Sequence, residues 1–415
     1  MYEYYGNSGV SVVIPTLNAG NGFEKLMLSL RHQKNVEAIQ IIVVDSGSTD
    51  ETLEIARQYN ADVISIPHDK FTHSYARNLG AEHAIYDYLA FMTQDALPEN
   101  EFWLSNMRKP LWEDEIAAST CIEKPRTDAD LFARTAIHFQ MLWLDVKNKN
   151  RIMKKYNPEN TKESYEVMLR RNACLNDVAC MYKKEIFMKY KYRLKYAEDL
   201  DMGIRLIEDG YKLALLGNVK VIHSHNREGF YYLKRMIVEQ ETFAELFGTG
   251  TNNNINEDGV IAGIVWLYDK IENWVSEIYQ IPLLYSKEAV LEKIQDICQL
   301  SGGIGPRVGR KEIEDKSFEK FIAELRKKCS ELPESILSQE IKRKFFMIFS
   351  EKMKTQIDFL WNSKDELTFS MLYELCCCMY CDFGSTVGTI LGDLYVEKDD
   401  LYFLSNFRAE LKQGI

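Results

Sequence analysis

The sequence predicts an α/β fold: a mixed, mainly parallel sheet flanked by helices, followed by an all-α C-terminal region. Three observations carry that expectation. Within the first 100 residues, short β-branched runs alternate with segments of helical periodicity, which implies right-handed crossovers and a sheet covered on both faces. Polar residues gather where those runs stop, at the carboxyl ends of strands, where open α/β sheets bind ligands. Beyond about residue 258 only helical spacing is present. The 415 residues, 46% hydrophobic and 12% aromatic, are enough for two domains, expected at 1–247 and 259–415 with a linker at 248–258.

Each element has its own signal. VSVVIP is a β-branched run that stops at Pro15, and Phe23, Leu26, Met27 and Leu30 then recur on one helix face. IQIIVVD is the second strand. Behind it Ser48 and Glu51 have capping-box spacing and Asp50 is a second candidate cap, ahead of a helix carrying Leu53, Ile55 and Ala56. DVISI, the helix SYARNLGAEHAIY and the strand YLAFMTQD follow. After residue 115, NACLNDVACMYKKEIF reads as a strand and a helix, EDLDMGIRLIEDGYK as a helix ended by Gly210, and KLALLGNVKVIHSH as a pair of strands. GTGTNNNINEDG has linker composition. The helical patterns beyond it include one with Ile261, Ile264, Val265 and Tyr268 on a face to be buried. IKRKFFMIFSEKMK is expected as a buried helix with exposed lysines, with a lipid-facing surface as the second reading. GGIGPRVGR at 302–310 follows no strand and reads as an interhelical loop, not a phosphate cradle.

Composition excludes some functions. A net charge of -11 argues against a sequence-independent grip on nucleic acid, which needs a cationic surface. Small molecules or neutral glycans fit better. The start MYEYYGNSGV lacks the basic and apolar regions of a signal peptide, so a cytoplasmic protein is expected. Nine cysteines in so long a chain are no disulfide framework, and the run Cys376, Cys377, Cys378 with Cys381 reads as a buried helix, not a zinc site.

Four groups of residues could carry chemistry. Asp45 ends a strand and is followed by small residues, including Ser48, whose backbone can approach a nucleobase or ribose; an ordinary capped turn has the same look. Arg77, beside Asn78 in FTHSYARNLG, could hold a diphosphate through charge-assisted hydrogen bonds or lie on an exposed helix surface. Asp95 with His223 and His225 offers carboxylate and imidazole ligands to a divalent metal, the histidines sharing a face if their strand continues. Glu198, Asp199 and Asp201 open a helix, where the dipole favours acids and where adjacent carboxylates can raise one another's pKa and supply a general base.

Taken in order, VSVVIPTLN, IIVVDSGSTD, FTHSYARNLG, FMTQDALP, AEDLDMGIRLIEDGY and VIHSHN resemble the inverting family-two glycosyltransferases of the Rossmann-like GT-A fold, in particular their rhamnosyltransferase-like branch, over residues about 9 to 245. The resemblance implies a nucleotide-sugar donor, with Thr16, Asn18 and Asp45 at the nucleoside and Ser48, Arg77, Gln94 and Asp95 along the rest of the donor. It implies a divalent metal, Mg2+ or Mn2+, on Asp95 and His223, and Asp199 as catalytic base. Glu198, Asp177 and His225 are placed as acceptor-side or supporting residues. Thr93-Gln94-Asp95 stands where most of the family has Asp-x-Asp, and Ser74 where the branch has glycine. The implied donor is thymidine-diphosphate rhamnose or a uridine-diphosphate hexose, and the acceptor a glycan or lipid-linked glycan of a bacterial surface polysaccharide. Contact with the inner face of the cell membrane and self-association are further partners to consider for the helical region. A dinucleotide-dependent oxidoreductase would need a G-x-G-x-x-G that VIPTLNAGNGFE lacks, and a catalytically silent scaffold would have lost Asp95, Asp199 or His223.

Overall fold

The computed structural model describes residues 8–147, 149–156, 164–248, 256–279, 285–286, 288–290, 292, 316–361, 366–397 and 401–411. By internal contacts the chain forms two units, Met1–Asp128 with Ala136–Ser224, and Ala129–Thr135 with His225–Ile415.

The first unit contains β1 (Val10–Thr16), α1 (Gly22–Arg31), β2 (Ile39–Asp45), α2 (Thr52–Gln58), β3 (Asp62–Ser65), α3 (His73–Glu82), β4 (Tyr88–Met92), β5 (Leu97–Pro98), α4 (Trp103–Arg108) and β6 (Ile116–Lys124). It continues through the later turns of α5 (Leu131–Trp143), whose residues up to Thr135 belong to the second unit, and β7 (Asn150–Met153), α6 (Tyr165–Ala173), β8 (Ala179–Lys183), α7 (Lys184–Tyr190), α8 (Glu198–Glu208) and β9 (Lys212–Ile222). The strands lie in the order β3-β2-β1-β4-β8-β6-β9-β5, with β7 on β9. β1, β2, β3 and β4 pair in parallel, as alternating strand and helix signals require. Antiparallel pairing enters with β8, which lies between β4 and β6. Every residue of β1 and β4 is buried, which is why both read as unbroken apolar runs.

Two local expectations change. KLALLGNVKVI is one strand, not two, because the Gly217-Asn218 step is taken up as an irregularity in the pairing of β9 with β6. Gly217 is needed there: a Cβ would stand 2.2 Å from the carbonyl oxygens of Val146 and Lys149. Ser48 does not cap α2, whose N-terminal residue Glu51 makes no side-chain cap; instead Asp50 accepts from the Thr52 amide at 3.1 Å.

The second unit is helical: α9 (Gly229–Phe247), α10 (Glu257–Tyr279), α11 (Glu319–Cys329), α12 (Gln339–Leu360), α13 (Phe369–Glu397) and α14 (Ser405–Leu411), with a two-strand pair, β10 (Tyr285–Ser286) and β11 (Glu366–Leu367). By contact α9 belongs here, although the division at 247 had grouped it with the sheet. Ile261, Ile264 and Tyr268 are buried on α10, and Ile341, Phe345, Phe349, Met353 and Ile357 form the buried stripe of α12, while Arg343 and Lys354 are exposed. The cysteine-rich segment is a core helix, with Cys376, Cys378 and Cys381 buried. Its residues Ser370–Val396 are long and apolar enough to cross a membrane, but 89% of the apolar window is buried within the protein. Gly384, Gly388 and Gly392 form the seam where α13 meets α9; a Cβ at Gly388 would stand 2.3 Å from the Leu233 carbonyl oxygen. Residues 249–255 of the expected linker and all of GGIGPRVGR lie outside the described residues.

Candidate active site

At the carboxyl ends of β1 and β2, side chains hold one another in place. Thr16 Oγ1 donates to Asp45 Oδ1 at 3.0 Å, and the same oxygen accepts Ser48 Oγ at 2.5 Å. Asp45 Oδ2 accepts the amides of Gly47 and Ser48, both at 3.0 Å. Ser48 Oγ accepts from the Asn18 amide at 2.8 Å, and Asn18 Oδ1 accepts from the Thr49 amide at 2.8 Å. Gln94 bridges to the backbone of Leu17, accepting its N–H at 2.8 Å and donating to its carbonyl at 3.2 Å. Asp45 is 1% exposed. Its carboxylate therefore builds the turn, and what the turn offers outward is backbone and the remaining capacity of its polar side chains.

Arg77 was expected on the open rim and is buried instead. Its guanidinium lies 2.6 Å from Glu198 and 3.3 Å from Asp177. Asp177 also accepts from Tyr192 Oη at 2.5 Å and from Cys180 Sγ at 2.9 Å. Asp199 Oδ2 accepts the Asp177 amide at 3.2 Å and Oδ1 the Leu200 amide at 2.8 Å. Burial, with Asp177 nearby, raises the Asp199 pKa above the ordinary carboxylate range. Burial also raises Glu198, against the pull of Arg77. Asp201 is held between Arg193 at 2.6 Å and Arg205 at 2.9 Å, so it anchors α8. Ala197, immediately before α8, sits at φ 52, a left-handed conformation that costs a non-glycine residue energy. His73 is driven down to about 4 by burial and Arg77, so it is neutral at physiological pH.

β4 ends at Met92 and β9 at Ile222, so Asp95, His223 and His225 lie in the segments just past the strands. One ligand atom from each falls within 4.8 Å of the others. His223 Nε2 is 3.5 Å from Asp95 Oδ1, long for a hydrogen bond and comparable to the separation of two ligands on one ion with bonds of about 2.1 Å. The other ring nitrogen, Nδ1, is 2.6 Å from Glu123 Oε2. Burial disfavours a charged His223, but the neighbouring carboxylates of Asp95 and Glu123 raise its pKa to about 9. A carboxylate and two imidazoles, one oriented by the half-buried Glu123, fit a divalent cation.

Glu123 then joins the two halves of the site. Its Oε1 accepts from Asn176 Nδ2 at 2.8 Å, and Asn176 precedes Asp177, whose amide meets Asp199. A continuous path thus runs Asp95–His223–Glu123–Asn176–Asp177–Asp199.

Residues 11–177 match the family described as Glycosyl transferase family 2. Over that stretch the chain is similar to the family 2 glycosyltransferases. Its curated relatives include the O-antigen chain rhamnosyltransferase WbaN of Salmonella anatum, 29% identical over 52% of this chain and 66% of that protein. Another is RfbN of Salmonella typhimurium, also named an O-antigen chain rhamnosyltransferase, 27% identical over 58% of this chain and 71% of that protein. Among solved structures, a mannosyltransferase from Pyrobaculum calidifontis in complex with GDP-Man and Mn2+ aligns with a TM-score of 0.46 at 14% identity, over 87% of this chain and 89% of that one.

Asp199 is half-buried and raised in pKa, and among the described residues it forms no salt bridge, whereas Glu198 faces Arg77 and Asp201 faces two arginines. Sequence reasoning missed Glu123, Asn176 and Tyr192. An acid at the end of β6, in IEK, was the available signal for Glu123, but only the fold brings it to His223.

Proposed function

We propose that the protein is an inverting, metal-assisted glycosyltransferase that moves a sugar from a nucleoside-diphosphate donor to a glycan or lipid-linked glycan acceptor in bacterial surface polysaccharide synthesis. The observation that carries this reading is the run of contacts from Asp95 and His223 through Glu123, Asn176 and Asp177 to Asp199, which supports donor anchoring and proton removal in one site. L-rhamnose from thymidine-diphosphate rhamnose is the donor favoured by the relatives' names, with a uridine-diphosphate hexose next. The turn built on Thr16, Asn18, Asp45 and Ser48, pinned by Gln94, receives the nucleoside. Asp95 and His223, with His225, would hold Mg2+ or Mn2+, which would supply positive charge to the diphosphate. Asp199 takes the proton of the acceptor hydroxyl as that oxygen attacks the anomeric carbon from the face opposite the leaving group. Arg77 holds Asp177 and Glu198 in place and so sets the field around Asp199. The work is assigned to the cytoplasm, at the inner face of the membrane when the acceptor is lipid-linked.

A panel of nucleotide sugars incubated with the full chain and Mg2+ or Mn2+ tests this. Release of nucleoside diphosphate that depends on the metal and on the sugar supports the reading. No release from any donor, with folded protein, overturns it.

A further inference from the structure

Within the second unit lies a cleft of about 520 Å³, lined by residues that include Asp130, Phe132, Arg227, Lys316, Tyr373 and Glu374. That volume falls in the range of small-molecule sites, about 300–1,000 Å³. Its walls are fixed by bonds within the unit. The Asp130 amide donates to Asn226 Oδ1 at 2.9 Å, while Asp130 Oδ1 accepts from the Ala133 amide at 2.8 Å and caps the first turn of α5. Arg134 pairs with Glu374, tying that turn to α13. Cys381 Sγ donates to the Arg227 carbonyl at 3.5 Å, tying α13 to the foot of α9. The hollow is therefore held open by structure on three sides.

Its chemistry is specific. Phe132 lines the cleft with its ring tilted against Tyr232, centroids 4.1 Å apart, and Arg227, also on the lining, lies over the Tyr231 ring behind it at 5.0 Å. Tyr373 lines the cleft and is 38% exposed. On the lining, the carboxylates of Asp130, Glu228 and Glu374 stand with the cations of Arg227 and Lys316, and Glu374 is also paired with Arg134. With no excess of cations, the cleft offers little to a diphosphate or another polyanion. It suits a neutral ligand rich in hydroxyls: carboxylates accept from the hydroxyls, arginine and lysine donate to them, and aromatic rings cover the C–H faces. Arg227 follows His225 by two residues in the chain.

We propose that this cleft is a subsite for a neutral saccharide, the sugar portion of the acceptor; the assignment of that saccharide to the acceptor rests on the glycosyltransferase reading above. Saturation-transfer NMR on the full chain, with methyl glycosides of neutral disaccharides containing rhamnose, galactose, glucose, mannose or N-acetylglucosamine, tests it. At least one disaccharide should give saturation transfer that falls at least fivefold in Tyr373→Ala and is retained in Tyr373→Phe, which keeps the ring. Glu228→Gln, at an exposed carboxylate, provides a second variant and should also weaken the signal. Inorganic pyrophosphate should not compete. Metal-dependent release of nucleoside diphosphate from donor in the absence of acceptor should be unchanged in all three variants. Absence of any disaccharide signal, an equal signal in Tyr373→Ala, or displacement by pyrophosphate overturns the subsite. Loss of donor turnover in the unsubstituted protein overturns the glycosyltransferase reading instead, so the two failures are distinct.

Discussion

The opening turn of α8 and the middle of α13 both bury carboxylates, and they do so in opposite ways. Around α8, Asp177 and Glu198 share Arg77, Asp177 accepts from Tyr192 and Cys180, and Asp199 takes two backbone amides while remaining half-buried. On α13, Asp382 is 1% exposed in an apolar helix, Oδ2 has no hydrogen-bond partner, and burial raises its pKa to about 7 against the pull of Lys352 and Gln356. The first group is a connected network with one member, Asp199, only half-buried. The second is a single acid on an apolar helix, with Lys352 and Gln356 as its polar neighbours. Burial alone raises a carboxylate's pKa in both, so a raised pKa becomes a catalytic argument only where geometry leads outward from it.

Breaking the α8 network at its centre should have the largest effect. Arg77→Met leaves Asp177 and Glu198 buried without their cation, a loss of about 3–5 kcal/mol by analogy with broken buried pairs. Denaturant unfolding should show it as a lower midpoint, and an unchanged midpoint would mean that the acids are protonated in the folded state. Next is Asp199→Asn, which should reduce transfer by about a hundredfold or more while leaving nucleoside-diphosphate binding intact. Near-normal turnover in that variant would remove Asp199 from the base role.

The pH profile sharpens the same contrast. Because the Asp199 pKa is raised, transfer should increase as pH rises through its folded value. The stability contribution of the group has the opposite sign: a carboxyl whose folded pKa exceeds its unfolded one favours folding below the unfolded value, and that contribution is lost as pH rises through the folded one. Activity at first climbs where the melting temperature falls.

A smaller loss is expected from Glu123→Gln, which keeps the shape beside His223 but not the charge. Metal-supported donor affinity should weaken about 10- to 100-fold, the scale for groups that orient a metal ligand, and calorimetry with and without chelator checks it. The mildest change is Asp382→Asn. Asp382 should favour folding below about 4 and lose that contribution as pH rises to about 7. Melting temperatures of variant and parent should therefore shift in the variant's favour between pH 5 and pH 8; an equal difference at both would show Asp382 ionised beside Lys352.

The sequence by itself determined the βα alternation, the parallel half of the sheet, the buried helices of the second unit and the types of residue at the strand ends. Those are local matters, written in apolar spacing and in where each run stops. Motif order also pointed to Asp95 and His223, which stand 3.5 Å apart, and to Asp199 as the proposed base. Tertiary structure alone decided which acids are spoken for. Arg77 turns inward to Glu198 and Asp177, Asp201 is taken by Arg193 and Arg205, Asp45 is used up by its own turn, and Glu123 reaches His223 across 100 residues of chain. The insertion of β8 between β4 and β6 and the folding of KLALLGNVKVI into one strand were likewise settled by pairing between distant segments. A carboxylate's role depends on burial and on which charges stand within a few ångströms, and those neighbours are supplied by other strands and helices.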